Sequence, residues 1–225
     1  MPGRLSPEER EYATLVDQLR ALEEDIGAAR QAADRARAGR GVERPAPREP
    51  PRALRGERVK LADGAQIVIR PIEPEDLHEL ATGFGGLGSL SRFRRFRQRI
   101  DRLTYEQLVA LTHIDHESHE ALVAIDAATG EGVAVARYAR VPDDPARAEV
   151  ACTVVDPWQH RGVGSALAER LAARAAAMGV ERCTALVVLG DQPARRLLAH
   201  VVDETAVRRD GGILDITAQA RRAAP

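Results

Sequence analysis

Val154-Val155-Asp156-Pro157-Trp158-Gln159-His160-Arg161-Gly162-Val163-Gly164-Ser165-Ala166 is the stretch from which the rest of the chain can be read. An apolar run ends at Val155, and Pro157 bars its continuation as a paired strand. Two glycines then open a segment whose apolar residues Val163, Leu167, Leu171, Ala175 and Met178 recur at helical spacing. The pattern predicts a strand, a tight turn and a helix N-terminus. Glycines at 162 and 164 let a ligand come close to the backbone, and the unpaired amides of a first helical turn carry the positive end of the macrodipole. Such a turn suits a pyrophosphate; the plainer alternative is a glycine turn that binds nothing.

Two common phosphate cradles are excluded. A Walker loop needs a lysine after its last glycine, and the chain's single lysine is Lys60. A dinucleotide fingerprint needs a third glycine where Leu167 stands. What remains is Gln-x-x-Gly-x-Gly, from Gln159 to Gly164, after a strand. This resembles the acetyl-CoA signature of the GNAT superfamily of N-acetyltransferases.

Composition narrows the class. The 225 residues are 44% hydrophobic and 30% charged with a formal net charge of −1, which fits an ordinary globular chain and argues against a generic nucleic-acid binder. Neither a secretory leader nor a membrane-length apolar run is legible. Cys152 and Cys183 lie in apolar strand patterns and suit a reducing cytoplasm, where they read as small core residues.

Residues 1–40 read as an amphipathic helix capped at Ser6, with the stripe Tyr12, Leu15, Leu19, Leu22 and Ile26. That stripe must be covered, either by docking on the same chain or by a homodimer through this helix. Residues 41–57, with prolines at 45, 47, 50 and 51, read as a semi-extended linker. A catalytic domain follows over 58–218, and 219–225 form a tail. Within the domain, strands are expected at 66–70, 121–125, 132–141, 148–155 and 183–189, with a closing hairpin at 205–208 and 213–217. Helices are expected from Pro74, after Thr104, after the glycine turn and over 193–201. The fold class is α/β (α+β): a mixed, mostly antiparallel sheet flanked by helices, with an N-terminal helical extension.

That order of elements resembles the whole GNAT fold. Ser91-Arg92-Phe93-Arg94-Arg95-Phe96, Ile114-Asp115-His116, Ala121-Leu122-Val123-Ala124 and Ala148-Glu149-Val150-Ala151 are similar to the acetyltransferase domain of bacterial protein-lysine acetyltransferases. In that family the domain is often joined to a cyclic-nucleotide-binding or acyl-CoA-ligase-like module, for which residues 1–57 are too few. The resemblance implies an acetyl-CoA-dependent transfer to an amine, a protein lysine first, a small-molecule amine second. A non-catalytic acyl-CoA sensor is the alternative from another class. No nucleic-acid or membrane partner is implied.

The resemblance also assigns residues. Val154 and Val155 would lend main-chain groups to the pantetheine arm, in a strand that splays from its neighbour. Gln159, His160, Arg161, Gly162, Val163 and Gly164 would wrap the pyrophosphate, with the Ser165 hydroxyl beside them. Glu149 would be the general base. On a strand it shares a face with Ala151, Thr153 and Val155, at roughly 3.3 Å per residue upstream of the turn, and desolvation there would raise its pKa. A surface pairing with Arg137 or Arg147 is the alternative role. The general acid is open: Asp191 stands where many such enzymes carry Asn, and Tyr138 reads as packing. His113, His116 and His119 suggest a metal only weakly, so no metal is expected.

Overall fold

The computed structural model describes residues 52–97, 99–210 and 213–220. The expected N-terminal helix, most of the linker and the last five tail residues lie outside them. Strands β1 (Glu57–Lys60) and β2 (Gln66–Pro71) form a first antiparallel pair. Helices α1 (Leu77–Gly85), α2 (Ser89–Phe96) and α3 (Tyr105–Thr112) follow, and α3 begins as expected at Thr104, whose Oγ1 accepts the Gln107 N–H at 3.3 Å. Then come β3 (His119–Asp126), β4 (Gly132–Val141) and β5 (Asp144–Val154). Helix α4 (Val163–Ala177), β6 (Arg182–Val188), α5 (Gln192–Val201), β7 (Val202–Asp210) and β8 (Ile213–Ala220) complete the described chain.

The eight described strands make one sheet in the order β1-β2-β3-β4-β5-β6-β8-β7. Every pair is antiparallel except β5 with β6. One face packs under α4, where Ile67, Leu122, Ala136, Tyr138, Val163, Leu167, Leu171 and Ala175 form the main core. The opposite face, with Val68, Ile72, Ala121, Val123 and Ile125, lies on the side of the sheet that meets α1 and α2. Alternation along each strand sends successive side chains to these two faces.

Several expectations need adjustment. β1 was not expected: its four residues are mostly exposed, so they carry no core pattern and form a strand only because β2 offers an edge. Arg52, in the stretch read as linker, bonds the Glu73 and Asp76 carboxylates at 2.6 and 3.0 Å. Met178 does not extend the buried stripe of α4. It is the C-terminal cap residue and exposed, and Gly179 (φ +81°) turns the chain away. The strand expected over 183–189 spans Arg182–Val188, with Cys183, Ala185 and Val187 buried, and Leu189 lies beyond its end and is exposed.

Candidate active site

The site begins where β5 and β6 part. Their parallel pairing covers Arg147↔Arg182, Ala148↔Cys183 and Glu149↔Thr184 and stops there. β5 stays paired to β4 as far as Val154↔Ala134, while β6 stays paired to β8 as far as Val188↔Ile213. Each strand follows its other neighbour, and a wedge opens between them. The Val155 N–H donates to Val133 O at 3.0 Å, toward β4. Alternation then turns the main-chain groups of Val150, Cys152 and Val154 toward the wedge. Of the two residues expected to lend backbone groups, Val154 faces it, although its carbonyl already accepts Gln159 Nε2 at 3.1 Å. Val155 is engaged at both ends, since its carbonyl accepts the Trp158 N–H at 2.9 Å. Val150 and Cys152 escaped sequence reading because only the strand register tells which way a peptide points.

At the wide end of the wedge stands the glycine turn. A 3-10 turn over Asp156–Trp158 leads into His160 (φ +60°) and Gly162 (φ +90°), which caps α4 with no side-chain hydrogen bond. The first bond of the helix is from the Ala166 N–H to Gly162 O at 3.0 Å, so the amides of Val163, Gly164 and Ser165 have no partner within the helix. No acidic side chain occupies this first turn. Val163 is fully buried and anchors the helix start. A Cβ at Gly162 would meet nothing within 4 Å, while one at Gly164 would touch Val154 and Leu197 at 3.6 Å. Gly162 therefore serves backbone conformation, and Gly164 sits against α5. Together the turn and the wedge offer uncapped amides at one end and free strand edges at the other, a fit for an extended ligand with an anionic group at one end.

Three side chains of the turn brace it. Gln159 Nε2 reaches Val154 O, Ser91 Oγ (3.2 Å) and Asp156 Oδ1 (3.0 Å), so its amide N–H groups are taken up within the protein. Asp156 is exposed, and it accepts the Ser91 hydroxyl at 2.7 Å and the Gly88 N–H at 3.2 Å, fastening the N-terminus of α2 to the turn. Arg161 bonds Asp63 at 2.5 Å and lies 4.0 Å over the Trp158 ring. His160 is exposed.

Glu149 sits at the apex of the wedge, in a row of cross-strand neighbours that runs His119, Ala139, Glu149, Thr184. Its expected desolvation is not met: the side chain is exposed. Neither arginine weighed as a partner takes it, since Arg147 lies 3.6 Å from Asp144 and Arg137 donates to Leu111 O at 3.1 Å. The three histidines diverge. His113 ends α3, His116 Nδ1 lies 2.8 Å from the buried Glu120, and His119 joins the Glu149 row. Burial, then the charge of Arg137, lowers the His119 pKa, so its imidazole is neutral at pH 7. Burial pushes the Cys152 thiol up to about 12, which makes it an inert core group. Asp191 is also buried; it caps α5 through the Ala194 N–H at 3.2 Å and lies 3.4 Å from Arg94. Tyr138 packs in the main core, as its sequence context suggested.

Residues 89–201 match the model of the Acetyltransferase (GNAT) family. Acetyltransferase Pat of Mycolicibacterium smegmatis is 38% identical over 92 residues, which are 41% of this chain and 27% of that protein. The chain thus matches about a quarter of that relative's length. The crystal structure of the GNAT domain of S. lividans PAT superposes with a TM-score of 0.65 at 28% identity, over 76% of this chain and 99% of that one. The cAMP-binding acyltransferase from Mycobacterium smegmatis gives a TM-score of 0.54 at 26% identity, over 76% of this chain and 48% of that one. The family match covers half of the chain and includes β5 and the glycine turn, and this chain belongs to the acetyltransferase (GNAT) family.

Proposed function

We propose that this chain transfers an acetyl group from acetyl-CoA to a primary amine, with a protein lysine as the first acceptor to test and Glu149 as general base. The observation that carries this reading is the end of β5–β6 pairing at Glu149↔Thr184, upstream of the uncapped N-terminus of α4 on the same strand. From Glu149 to Val154 the strand advances about 17 Å, the reach of an extended pantetheine arm. Acetyl-CoA supplies an activated acyl carbon in its thioester. The amides of Val163, Gly164 and Ser165 receive the pyrophosphate charge, aided by the helix dipole. The main-chain groups of Val150, Cys152 and Val154 pair with the arm's amides. Glu149 takes a proton from the acceptor ammonium and hands it to water, to which it is exposed. The freed amine attacks the thioester carbonyl, and the C–N bond forms as the C–S bond breaks. CoA leaves as a thiolate that takes up a proton in place of the one the new amide nitrogen gives to water. His119, neutral and in the same row, stands as a second proton acceptor.

The resemblance of Ser91-Arg92-Phe93-Arg94-Arg95-Phe96 and Ala148-Glu149-Val150-Ala151 to bacterial protein-lysine acetyltransferases favours a protein acceptor, while a small-molecule amine would use the same groups. A cytoplasmic setting, with its acetyl-CoA and reduced thiols, belongs to this proposal. Glu149→Gln keeps the shape of the side chain and removes the base. CoA release should fall by about 10²- to 10⁴-fold with the acetyl-CoA melting shift retained. Unchanged turnover moves the base elsewhere, to His119 first. A melting temperature indifferent to acetyl-CoA would overturn the cofactor assignment, because saturation at a hundredfold excess over Kd adds about 2.7 kcal/mol.

A further inference from the structure

On the face of β5 that carries Glu149 lies a cavity of about 80 Å³ between the sheet and the helices α1 to α3. Phe84, Leu103, Leu111, Val123 and Val135 give it an apolar body, and Ala151 and Thr153 of β5 form part of its floor. Two guanidinium groups line it, Arg95 of α2 and Arg137 of β4. Arg137 is 8% exposed; its Nη2 donates to Leu111 O at 3.1 Å, and its Nη1 is buried with no acceptor. Among the described residues no carboxylate forms an ion pair with either arginine. A buried cation left in this state is expensive, and the cost is reflected in its titration: burial, then the neighbouring Arg95, pulls Arg137 down to about 10. Arg95 is lowered likewise, by burial first and Arg97 second, with Glu149 acting in the opposite direction.

The other charged groups of the lining stand at the far end. Asp76 is matched by Arg70 at 2.7 Å on each oxygen. Glu79 packs beside Gly132, five residues and about 17 Å along β4 from Arg137. The end nearest Glu149 is therefore doubly cationic, the body between is apolar, and the two carboxylates stand at the opposite end.

We infer that this cavity receives a carboxylate on a short apolar chain, held by Arg95 and Arg137, as part of the group brought to Glu149 for transfer. The fork of a guanidinium matches a carboxylate in shape and charge, and an acceptor for Arg137 Nη1 is what the site lacks. Room for a water takes about 10–15 Å³ on this measure, so the cavity holds about five to eight heavy atoms, the size of a three- or four-carbon acid. Arg137 lies opposite Ala151 across the β4–β5 ladder, two residues from Glu149, which puts the carboxylate one short chain from the reacting amine. The inference deepens the transferase reading and rests on it. Its carboxylate has two sources, the acceptor amine or the acyl chain.

The test measures CoA release from pairs matched except for one carboxylate. One arm compares 4-aminobutyrate with butylamine as acceptors of acetyl-CoA. The other compares succinyl-CoA with butyryl-CoA as donors to a fixed lysine peptide. In one of the arms the carboxylate member should show a kcat/KM about 10- to 100-fold higher, and the ratio should collapse to near one in Arg137→Gln and in Arg137→Met. Melting curves of both variants should match or exceed the parent, since each removes an unpartnered buried charge. A ratio at or below one in both arms, or a ratio that survives both substitutions, overturns the inference while leaving the transferase reading in place. If no pair releases CoA, the transferase reading fails, and melting in butyrate against butyramide decides the cavity alone. A shift specific to butyrate and lost in Arg137→Gln keeps the carboxylate site; no such shift removes it.

Discussion

Asp156→Ala should loosen the substrate side of the site from its cofactor turn without touching either ligand. The carboxylate accepts three hydrogen bonds, from Gly88 N–H (3.2 Å), Ser91 Oγ (2.7 Å) and Gln159 Nε2 (3.0 Å). Gly88 precedes α2, so Asp156 supplies from a distance the capping oxygen that helix lacks locally. Loss of a cap costs about 0.5–2 kcal/mol, and exposure keeps the other two bonds modest, so a total of about 1–2 kcal/mol is expected. For a domain of this size that lowers Tm by roughly 2–8 °C. The functional consequence follows from what α2 carries. Arg95 lines the cavity and Arg94 reaches Asp191, so a loosened α2 should raise the acceptor KM more than it changes the acetyl-CoA melting shift. Thermal melting and steady-state kinetics of the variant beside the parent measure both. A variant that melts and turns over like the parent would refute the tether, and equal losses in acceptor KM and acetyl-CoA affinity would refute its selectivity for α2.

Gly162→Ala should lower stability by about 1–2 kcal/mol through backbone strain alone, because φ is +90° and the Cβ meets nothing; Gly164→Ala should be neutral or stabilising, since its Cβ finds ordinary contacts at 3.6 Å within a helix. Opposite signs in the melting curves check the pair. Ser165→Asp should stabilise the start of α4 yet weaken acetyl-CoA binding, by placing a negative charge beside the uncapped amides, which titration of the melting shift would reveal. Asp76→Asn should cost about 3–5 kcal/mol by leaving the buried Arg70 without its charge partner. Burial alone would raise the Asp76 carboxyl, but hydrogen bonds from Arg70 and the Glu73 N–H, with the charges of Arg70 and Arg52, hold it below its usual value of 3.8. A lowered folded-state pKa makes this contribution complete above about pH 4 and lost as pH falls further, so the gap in Tm between parent and variant should close in acid.

Much of this molecule is written in local sequence. The strand, Pro157 and the two glycines announce the turn, the spacing of Val163, Leu167, Leu171 and Ala175 announces the buried face of α4, and Thr104 announces the start of α3. These signals are local because turns, caps and helix faces are set by neighbours within a few residues. β1 carried no such signal, since its strand state depends on an edge supplied by β2. The direction in which the peptides of Val150, Cys152 and Val154 point is likewise a property of register, fixed by β4 on one side and abandoned by β6 on the other. Exposure is the clearest case of tertiary control. Glu149 lies in an apolar run that suggests burial, yet the parting of the strands leaves it open to water. Arg137, which the sequence offered as a surface partner for Glu149, is instead driven into the interior by its place on a central strand. Sequence alone determined the strand, turn and helix; which charges are buried and which edges lie free was decided only when β5 and β6 separated, because those properties belong to pairs of distant segments and not to any one of them.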